Sequence, residues 1–194
     1  MAGPVVIDSG AGKYLESMIR MGLVQLLFAG NGFAAHDIEL SLFGTAAGVL
    51  LDRGVPLEYG HENYLRAINT VRKAGSIAGA VEAGTLSSGV MHACIRHRVD
   101  FVLAGSIRDD GPLPDTITDS LEAQDAMRRK VQGVKTALML GTTLHSIAVA
   151  NLLPASVRIV SVDVNSGTVE RLQARSPYLN LGFVADVDGF LRAL

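Results

Sequence analysis

Short apolar runs, each ending in a turn of glycine, hydroxyl or acidic residues, recur along this chain and constrain its fold. Three such pairs are residues 5–7 before 8–12, residues 137–140 before 141–143, and residues 157–162 before 163–165. Short branched runs separated by longer amphipathic segments predict strands that alternate with helices. Parallel pairing needs such helix-length crossovers. We therefore predict an α/β fold, a three-layer parallel sheet with helices on both faces, Rossmann-like in type.

The remaining patterns extend this alternation through the chain. Further strands are predicted at residues 23–29, 101–104 and 181–184. Helices are predicted at residues 13–20, 34–43, 64–81 with an interruption near Gly75, 89–98 and 118–131. Residues 44–62, which contain Gly54, Pro56 and Gly60, are predicted to form a loop or lid over the crevice.

The amino-acid composition limits the classes of function that we expect for this chain. The 194 residues are 48% hydrophobic and 19% charged, which predicts one globular domain over 1–194. A net charge of −2 with scattered basic residues predicts neither nucleic-acid nor membrane binding. The single cysteine, Cys94, cannot form an internal disulfide, so we expect a reducing, cytoplasmic location. No histidine pair has a metal-ligand spacing, and no metal site is predicted.

The turns contain residue types that bind dinucleotides. Small residues let the backbone approach a pyrophosphate, and the following helix N-terminus attracts the anion. Gly10 and Gly12 supply half of the usual fingerprint, but Leu15 stands where the third glycine belongs, so a merely tight turn is equally compatible. The predicted cofactor-binding residues are Gly10, Ala11, Gly12, Asn31, Gly32, Ser106, Gly141, Thr142, Thr143, Asp163 and Asn165.

The position of the acidic residue departs from the ordinary Rossmann order. There an acid closes the second strand, whereas here that strand ends at Gly30 and the acid, Asp163, closes a late strand. A carboxylate can accept two hydrogen bonds from a ribose and would repel a 2′-phosphate, which favours NAD over NADP. This displaced order resembles the deoxyhypusine-synthase-like NAD-binding fold, which includes the sirtuins. Sirtuin chemistry is not expected, because no histidine here precedes a glycine.

A more extensive resemblance covers nearly the whole chain. It is carried by residues 29–39, 65–69, 101–115, 122–127 and 144–148. These segments resemble the C-terminal part of the LOR/SDH bifunctional enzyme conserved-domain family, whose members include archaeal ornithine cyclodeaminases and cyanobacterial arginine dihydrolase/ornithine cyclodeaminases. The resemblance implies bound NAD and a redox-neutral conversion of ornithine to proline and ammonia. It also implies correspondence to the C-terminal part of longer proteins, either as an excised domain, with a separate N-terminal chain as partner, or as a short form that binds NAD. The 48% hydrophobic content separately favours a homo-oligomer.

Candidate catalytic residues lie in two places. In the loop after residues 101–104, Arg108 can hold a substrate carboxylate while Asp109 and Asp110 hold a diamine. The alternative is an internally salt-bridged turn. His36 and Asp37, at the start of a predicted helix, are candidates for handling amine protons. The alternative is a surface histidine beside an acid that complements the helix dipole.

Two other functions stay open at this point. One is an oxidoreductase that acts on lysine- or saccharopine-like substrates. The other is a noncatalytic module that holds NAD and associates with another subunit. His145, at the start of a predicted helix, either faces the crevice or caps that helix.

Overall fold

The computed structural model describes residues 1–51, 54–109, 111–175 and 178–194. Its helices are α1 Val5–Asp8, α2 Gly12–Arg20, α3 Asn31–Phe43, α4 His61–Ala74, α5 Ile77–Glu82, α6 Val90–Arg96, α7 Ser120–Lys130, α8 Thr143–Leu152, α9 Ser166–Arg175 and α10 Val187–Arg192. Its strands are β1 Leu26–Gly30, β2 Thr45–Ala46, β3 Val49–Leu50, β4 Val55–Pro56, β5 Asp100–Ala104, β6 Thr116–Ile117, β7 Thr136–Leu140, β8 Arg158–Asp163 and β9 Asn180–Val184.

One parallel sheet organises the fold. Strands β1, β5 and β6 form one side of it, and β7, β8 and β9 form the other. Ala2 joins the two sides, because it pairs in parallel with both Ala29 of β1 and Leu140 of β7. The order across the sheet is therefore β6, β5, β1, the Ala2 position, β7, β8, β9. The chain builds outward from Ala2 first in one direction and then in the other, which makes this position the topological switch point.

Helices cover both faces of the sheet, as predicted. One apolar cluster gathers side chains from the helices of the first half of the chain, including Phe33, Ile38 and Ile68. The second cluster contains Met127 of α7, Val149 of α8 and Leu172 of α9. The inner strands are apolar and largely buried, as is typical of parallel sheets, whereas the edge strand β9 exposes Leu181, Phe183 and Val184.

The first predicted strand is wrong. Residues 5–8 form the short helix α1, in which Val6 and Ile7 are fully buried. The strand position belongs instead to the segment around Ala2, and Pro4 then begins the helix with a φ of −55°. Proline has this φ by its ring geometry and favours a helix start, which overrides the strand preference of the valines.

The segment after α3 forms a small antiparallel sheet rather than a loop. Strand β3 pairs with both β2 and β4. The buried Glu39 of α3 accepts hydrogen bonds from the Thr45 hydroxyl at 2.7 Å and from the N–H of Gly48 at 2.9 Å. These bonds attach the small sheet to the second half of α3. Among the described helices, none combines the length and apolarity that crossing a membrane requires.

Candidate functional site

A cavity of about 330 Å³ opens at the carboxyl edge of the sheet, next to the switch point. We call it the rim cavity. Its lining residues are Val5, Ser9, Gly141, Thr142, Thr143, Asp163, Val164, Asn165, Asp186 and Val187. Five of the predicted cofactor residues therefore lie together: Gly141, Thr142, Thr143, Asp163 and Asn165.

Two glycines allow the backbone turns beside this cavity to approach each other. A β-carbon at Gly3 would lie 2.3 Å from the carbonyl oxygen of Gly141. Gly141 has a φ of +55°, and a β-carbon there would lie 2.1 Å from Cγ1 of Val5. Both contacts are far shorter than van der Waals distance, so the turn that follows β7 fits against α1 only without side chains at these positions.

Helix α8 directs its N-terminus at the rim cavity. The helix begins after Thr142, and its first N–H groups have no partner within the helix. The Thr143 hydroxyl lies 2.7 Å from the Thr168 hydroxyl of α9, which fixes the two helix starts beside each other. This arrangement favours an anion at the cavity, because the N–H groups and the helix dipole both attract negative charge.

Asp163 lies at the end of β8 in a turn that orients its carboxylate. Its Oδ1 accepts the N–H of Asn165 at 2.9 Å, and Oδ1 of Asn165 accepts the N–H of Gly167 at 2.9 Å. Asn165 thus caps α9. The bond to Asn165 involves one carboxylate oxygen of Asp163, and a carboxylate accepts on both oxygens, as a pair of ribose hydroxyls requires.

Asn31 is a positioning residue for the loop that follows β5. The side chain is 1% exposed, and its Oδ1 accepts the N–H of Leu113 at 2.9 Å and the Thr116 hydroxyl at 3.1 Å. Its Nδ2 donates to the Tyr64 hydroxyl at 3.3 Å. Asn31 was predicted to bind cofactor, but these bonds direct its side chain to the protein. Gly32 follows it at the start of α3, near Pro4.

The predicted substrate loop forms a hydrogen-bonded turn. Oδ2 of Asp109 accepts the N–H of Ser106 at 2.7 Å, and the Ser106 hydroxyl accepts the N–H of Arg108 at 3.0 Å. The Arg108 side chain is exposed, so its guanidinium is accessible to a ligand. The turn is held by these backbone-to-side-chain bonds. Asp110, also predicted as catalytic, lies outside the described residues.

His145 lies between the rim cavity and this loop. It follows Thr143 on α8, and a β-carbon at Gly30 would be 2.9 Å from its Cε1 atom. Burial lowers the pKa of His145, and the charge of Asp109 opposes that shift less strongly. The imidazole is therefore biased toward its neutral form, which can accept a proton.

Asp37, predicted as a catalytic residue, lies buried with both carboxylate oxygens bonded to backbone N–H groups. It is 3% exposed, and its two oxygens accept the N–H groups of Val90 and Met91 at 2.8 Å each. Burial raises the pKa of Asp37 to about 7, and these two bonds oppose the shift. His36, the neighbouring candidate, pairs with Asp8 at 2.7 Å and packs edge-on against the Tyr64 ring.

Gly10, Ala11 and Gly12, predicted as cofactor-binding residues, do not line the rim cavity. Ala11 and Gly12 are buried, and a β-carbon at Gly12 would lie 3.0 Å from Cδ1 of Ile7. Gly10 has a φ of +81° and ends a helical turn instead of following a strand. Gly12 therefore serves packing against Ile7, and Gly10 serves the turn.

Five residues that line the rim cavity were not predicted as site residues, and one of them, Val164, lies between Asp163 and Asn165. Val5 and Ser9 were hidden by the wrong strand prediction, since they belong to α1 and its C-terminal end. Asp186 and Val187 follow β9, and Asp186 caps α10 by accepting the N–H of Gly189 at 2.9 Å. The rule that located Asp163, an acid just after a strand, would also have found Asp186.

Comparison with known proteins places this geometry in a family. The family model described as "Arginine dihydrolase ArgZ-like, C-terminal, Rossmann fold" matches residues 1–194. The chain belongs to this ArgZ-like family. An ornithine cyclodeaminase from Methanocaldococcus jannaschii is 53% identical over 194 residues, which are 100% of this chain and 46% of that protein. The bifunctional arginine dihydrolase/ornithine cyclodeaminase AgrE from Nostoc is 49% identical over 193 residues, 100% of this chain and 28% of that protein.

Solved structures agree with the ArgZ-like assignment. The ternary complex of AgrE with ornithine and NAD+ superposes with a TM-score of 0.95 at 49% identity, over 98% of this chain and 28% of that chain. A LOR/SDH protein from Methanococcus maripaludis S2 superposes with a TM-score of 0.96 at 46% identity, over 98% of this chain and 58% of that chain. The ArgZ-like chain thus spans about half the length, or less, of these enzymes.

Proposed function

We propose that this ArgZ-like domain binds NAD across the carboxyl edge of its sheet. Together with the region that precedes the domain in its longer relatives, it converts ornithine to proline and ammonia. The observation that carries the proposal is the rim cavity, in which Gly141, Thr143 and Asp163 meet at the switch point. In open parallel sheets this is where ligands bind. The fold matches that of AgrE, whose structure is a complex with ornithine and NAD+.

The residues present fit a dinucleotide. Gly141 lines the rim cavity without a side chain, and the start of α8 offers N–H groups to the phosphates. Asp163 suits the ribose of the adenosine half. A second negative charge on that ribose would be repelled by the carboxylate, so we propose NAD rather than NADP.

The loop after β5 is proposed to hold the substrate. Strand β8 and strand β5 lie four positions apart in the sheet, ~19 Å at ~4.8 Å per strand, a separation that suits an elongated ligand. Arg108 is proposed to bind the ornithine carboxylate and Asp109 an amine. His145, with its lowered pKa and its place beside Gly30, is proposed to accept a proton from the amine. His36, paired with Asp8, is proposed to orient the start of α3 beside this loop.

When bound, NAD accepts a hydride from the α-carbon of ornithine and returns it later, so that no net oxidation results. The chain's contribution is to hold the ends of the ligand and to manage amine protons. We further propose that the domain works in a reducing, cytoplasmic environment, because the thiol of Cys94 is buried and free. A homo-oligomer or a separate N-terminal chain completes the enzyme.

The test supplies ornithine and a catalytic amount of NAD to the domain joined to the preceding region of the M. jannaschii enzyme. Equal formation of proline and ammonia without accumulation of NADH is the expected result. NAD binding without product would indicate that the domain is a noncatalytic cofactor-binding module. NADH accumulation with a lysine- or saccharopine-like substrate would indicate that it is an oxidoreductase. Either result would overturn the cyclodeaminase proposal.

A further inference from the structure

A gap one strand wide lies in the middle of the parallel sheet. Ala2 fills the position between β1 and β7 only near their carboxyl ends, where it pairs with Ala29 and Leu140. Toward the amino ends of the two strands, an apolar groove of about 840 Å³ takes the place of a strand. We call it the strand groove. Its lining includes Leu23, Leu26, Phe28, Thr136 and Leu138.

Backbone groups of both strands turn into the strand groove. The carbonyl of Phe28 accepts the N–H of Ala2 at 3.0 Å, and the carbonyl of Leu138 accepts from the Met1 amino group at 2.7 Å. In a parallel ladder, every second residue turns both its backbone groups to the same neighbour. The backbone N–H and C=O groups of Leu26 on β1 and Thr136 on β7 therefore point into the groove. Each of these residues lies two positions before the residue, Phe28 or Leu138, that bonds to the N-terminal segment.

The groove has the width and lining of a missing interior strand. Two strands that flank one empty position are about 10 Å apart, at about 4.8 Å per strand spacing. Leu15 and Met18 of α2 line it, as do Val149 of α8 and Leu153, which directly follows that helix. A strand placed there would be covered by apolar side chains from helices of both core clusters.

We propose that the strand groove receives an extended apolar segment of about three residues, parallel to β1 and β7. The segment comes from the polypeptide region that precedes the ArgZ-like domain in its longer relatives. The matched part is only 46% of the M. jannaschii enzyme, and the family model describes it as C-terminal. A chain that precedes Met1 would enter the groove directly, because the Met1 nitrogen already lies 2.7 Å from the carbonyl oxygen of Leu138.

This docking would act on the functional site through the two strands. The carboxyl end of β1 leads into Gly30, against which His145 packs, and the carboxyl end of β7 leads into Gly141 of the rim cavity. A strand that pairs with both would fix the distance between these turns. The preceding region would therefore stabilise the site in addition to anything its own side chains contribute.

The test compares fusions of the domain by amide hydrogen exchange. One fusion carries, ahead of Met1, the segment that directly precedes the matched region in the M. jannaschii enzyme. A second fusion carries the same segment with its last residues changed to proline, which removes the N–H groups of a strand. We expect exchange at Leu26, Phe28 and Leu138 to be about tenfold or more slower in the first fusion, with the amides of β8 as the unchanged internal reference.

Two leucines of equal exposure provide matched variants of the first fusion. Leu23 lines the groove and is 61% exposed, and Leu181 on β9 is also 61% exposed but lies outside the groove. Leu23→Glu is expected to remove the protection of Leu26 and Leu138, whereas Leu181→Glu keeps it. Equal exchange in the two fusions would overturn the proposal. Protection that instead rises with concentration of the unfused domain would show a second copy in the groove and would also overturn it.

Discussion

Gly3 and Gly141 meet so closely that a β-carbon on Gly3 would come within 2.3 Å of the Gly141 carbonyl oxygen. Gly3 follows the central strand position, and Gly141 follows the strand next to it. Their contact joins the two turns that diverge at the switch point. Gly141 lines the rim cavity, so this contact positions one of its walls.

Gly3→Ala is expected to push the turn after β7 away from α1. We expect a loss of stability of about 1–3 kcal/mol from overpacking and at least tenfold weaker NAD binding. Gly32→Ala is the control for stability alone, because a β-carbon there would lie 3.5 Å from Cγ of Pro4, an ordinary contact. Urea unfolding and NAD titration calorimetry measure both effects. Unchanged NAD affinity in Gly3→Ala would contradict the role of this contact.

Asp163→Asn is expected to weaken NAD binding by about 10- to 100-fold and to narrow the preference for NAD over NADP. The amide can keep the bond to the Asn165 N–H but loses the charge that binds ribose hydroxyls and repels a 2′-phosphate. Asp125→Asn, on the exposed face of α7, is the control. Calorimetric titration with each dinucleotide gives the comparison. If the ratio of affinities does not move, Asp163 does not set the cofactor preference.

Asn31→Ala is expected to loosen the loop that carries Ser106, Arg108 and Asp109. Removing the buried amide leaves the N–H of Leu113 without its acceptor, which costs about 1–3 kcal/mol. We expect faster hydrogen exchange at Leu113 and a lower kcat for ornithine, with NAD affinity nearly unchanged. An equal loss of NAD affinity and kcat would show that Asn31 contacts the cofactor directly.

Asp37 is expected to make stability depend on pH. Its pKa rises from 3.8 to about 7 on folding, so the folded state binds more protons between these values. The free energy of unfolding should therefore fall as pH increases through this window. Asp37→Asn is expected to lose this contribution, while Asp125→Asn keeps it. Urea unfolding at several pH values from about 4 to 7 compares the slopes, and parallel profiles for wild type and Asp37→Asn would contradict the assignment.

Cys94 is expected to resist thiol reagents while the domain is folded. Burial raises the pKa of this thiol to about 12, and the thiolate is the reactive form. Ellman's reagent should react slowly with native protein and rapidly in urea. Rapid reaction in the native state would show that the helix carrying Cys94 opens readily.

Most of the fold could be predicted from the alternation of apolar runs and helical segments in the sequence. Strands β1, β5, β7, β8 and β9 lie where the pattern predicted them, and the break at Gly75, with a φ of +84°, divides α4 from α5 as expected. The pattern failed at residues 5–8, because one strand position is held by the pairing of Ala2 alone. A single residue has no periodicity to detect.

The sequence predicts which residues meet at the ends of parallel strands, but it does not predict contacts that depend on tertiary structure. Gly141, Thr143 and Asp163 meet in one cavity because parallel strands end at the same edge. The surroundings of Asp37 could not be predicted, because its partners, Val90 and Met91, lie more than fifty residues along the chain. The small sheet after α3 likewise depends on the buried Glu39, whose partners no local pattern reveals.

A crystal structure of the domain soaked with NAD tests the central claim most directly. We expect adenosine density in the rim cavity, with the ribose hydroxyls at Asp163 and the pyrophosphate at Gly141 and Thr143. The nicotinamide is expected to point toward His145 and the loop of Arg108. A rim cavity that stays without density at saturating NAD, or a dinucleotide bound on another face of the sheet, would contradict it.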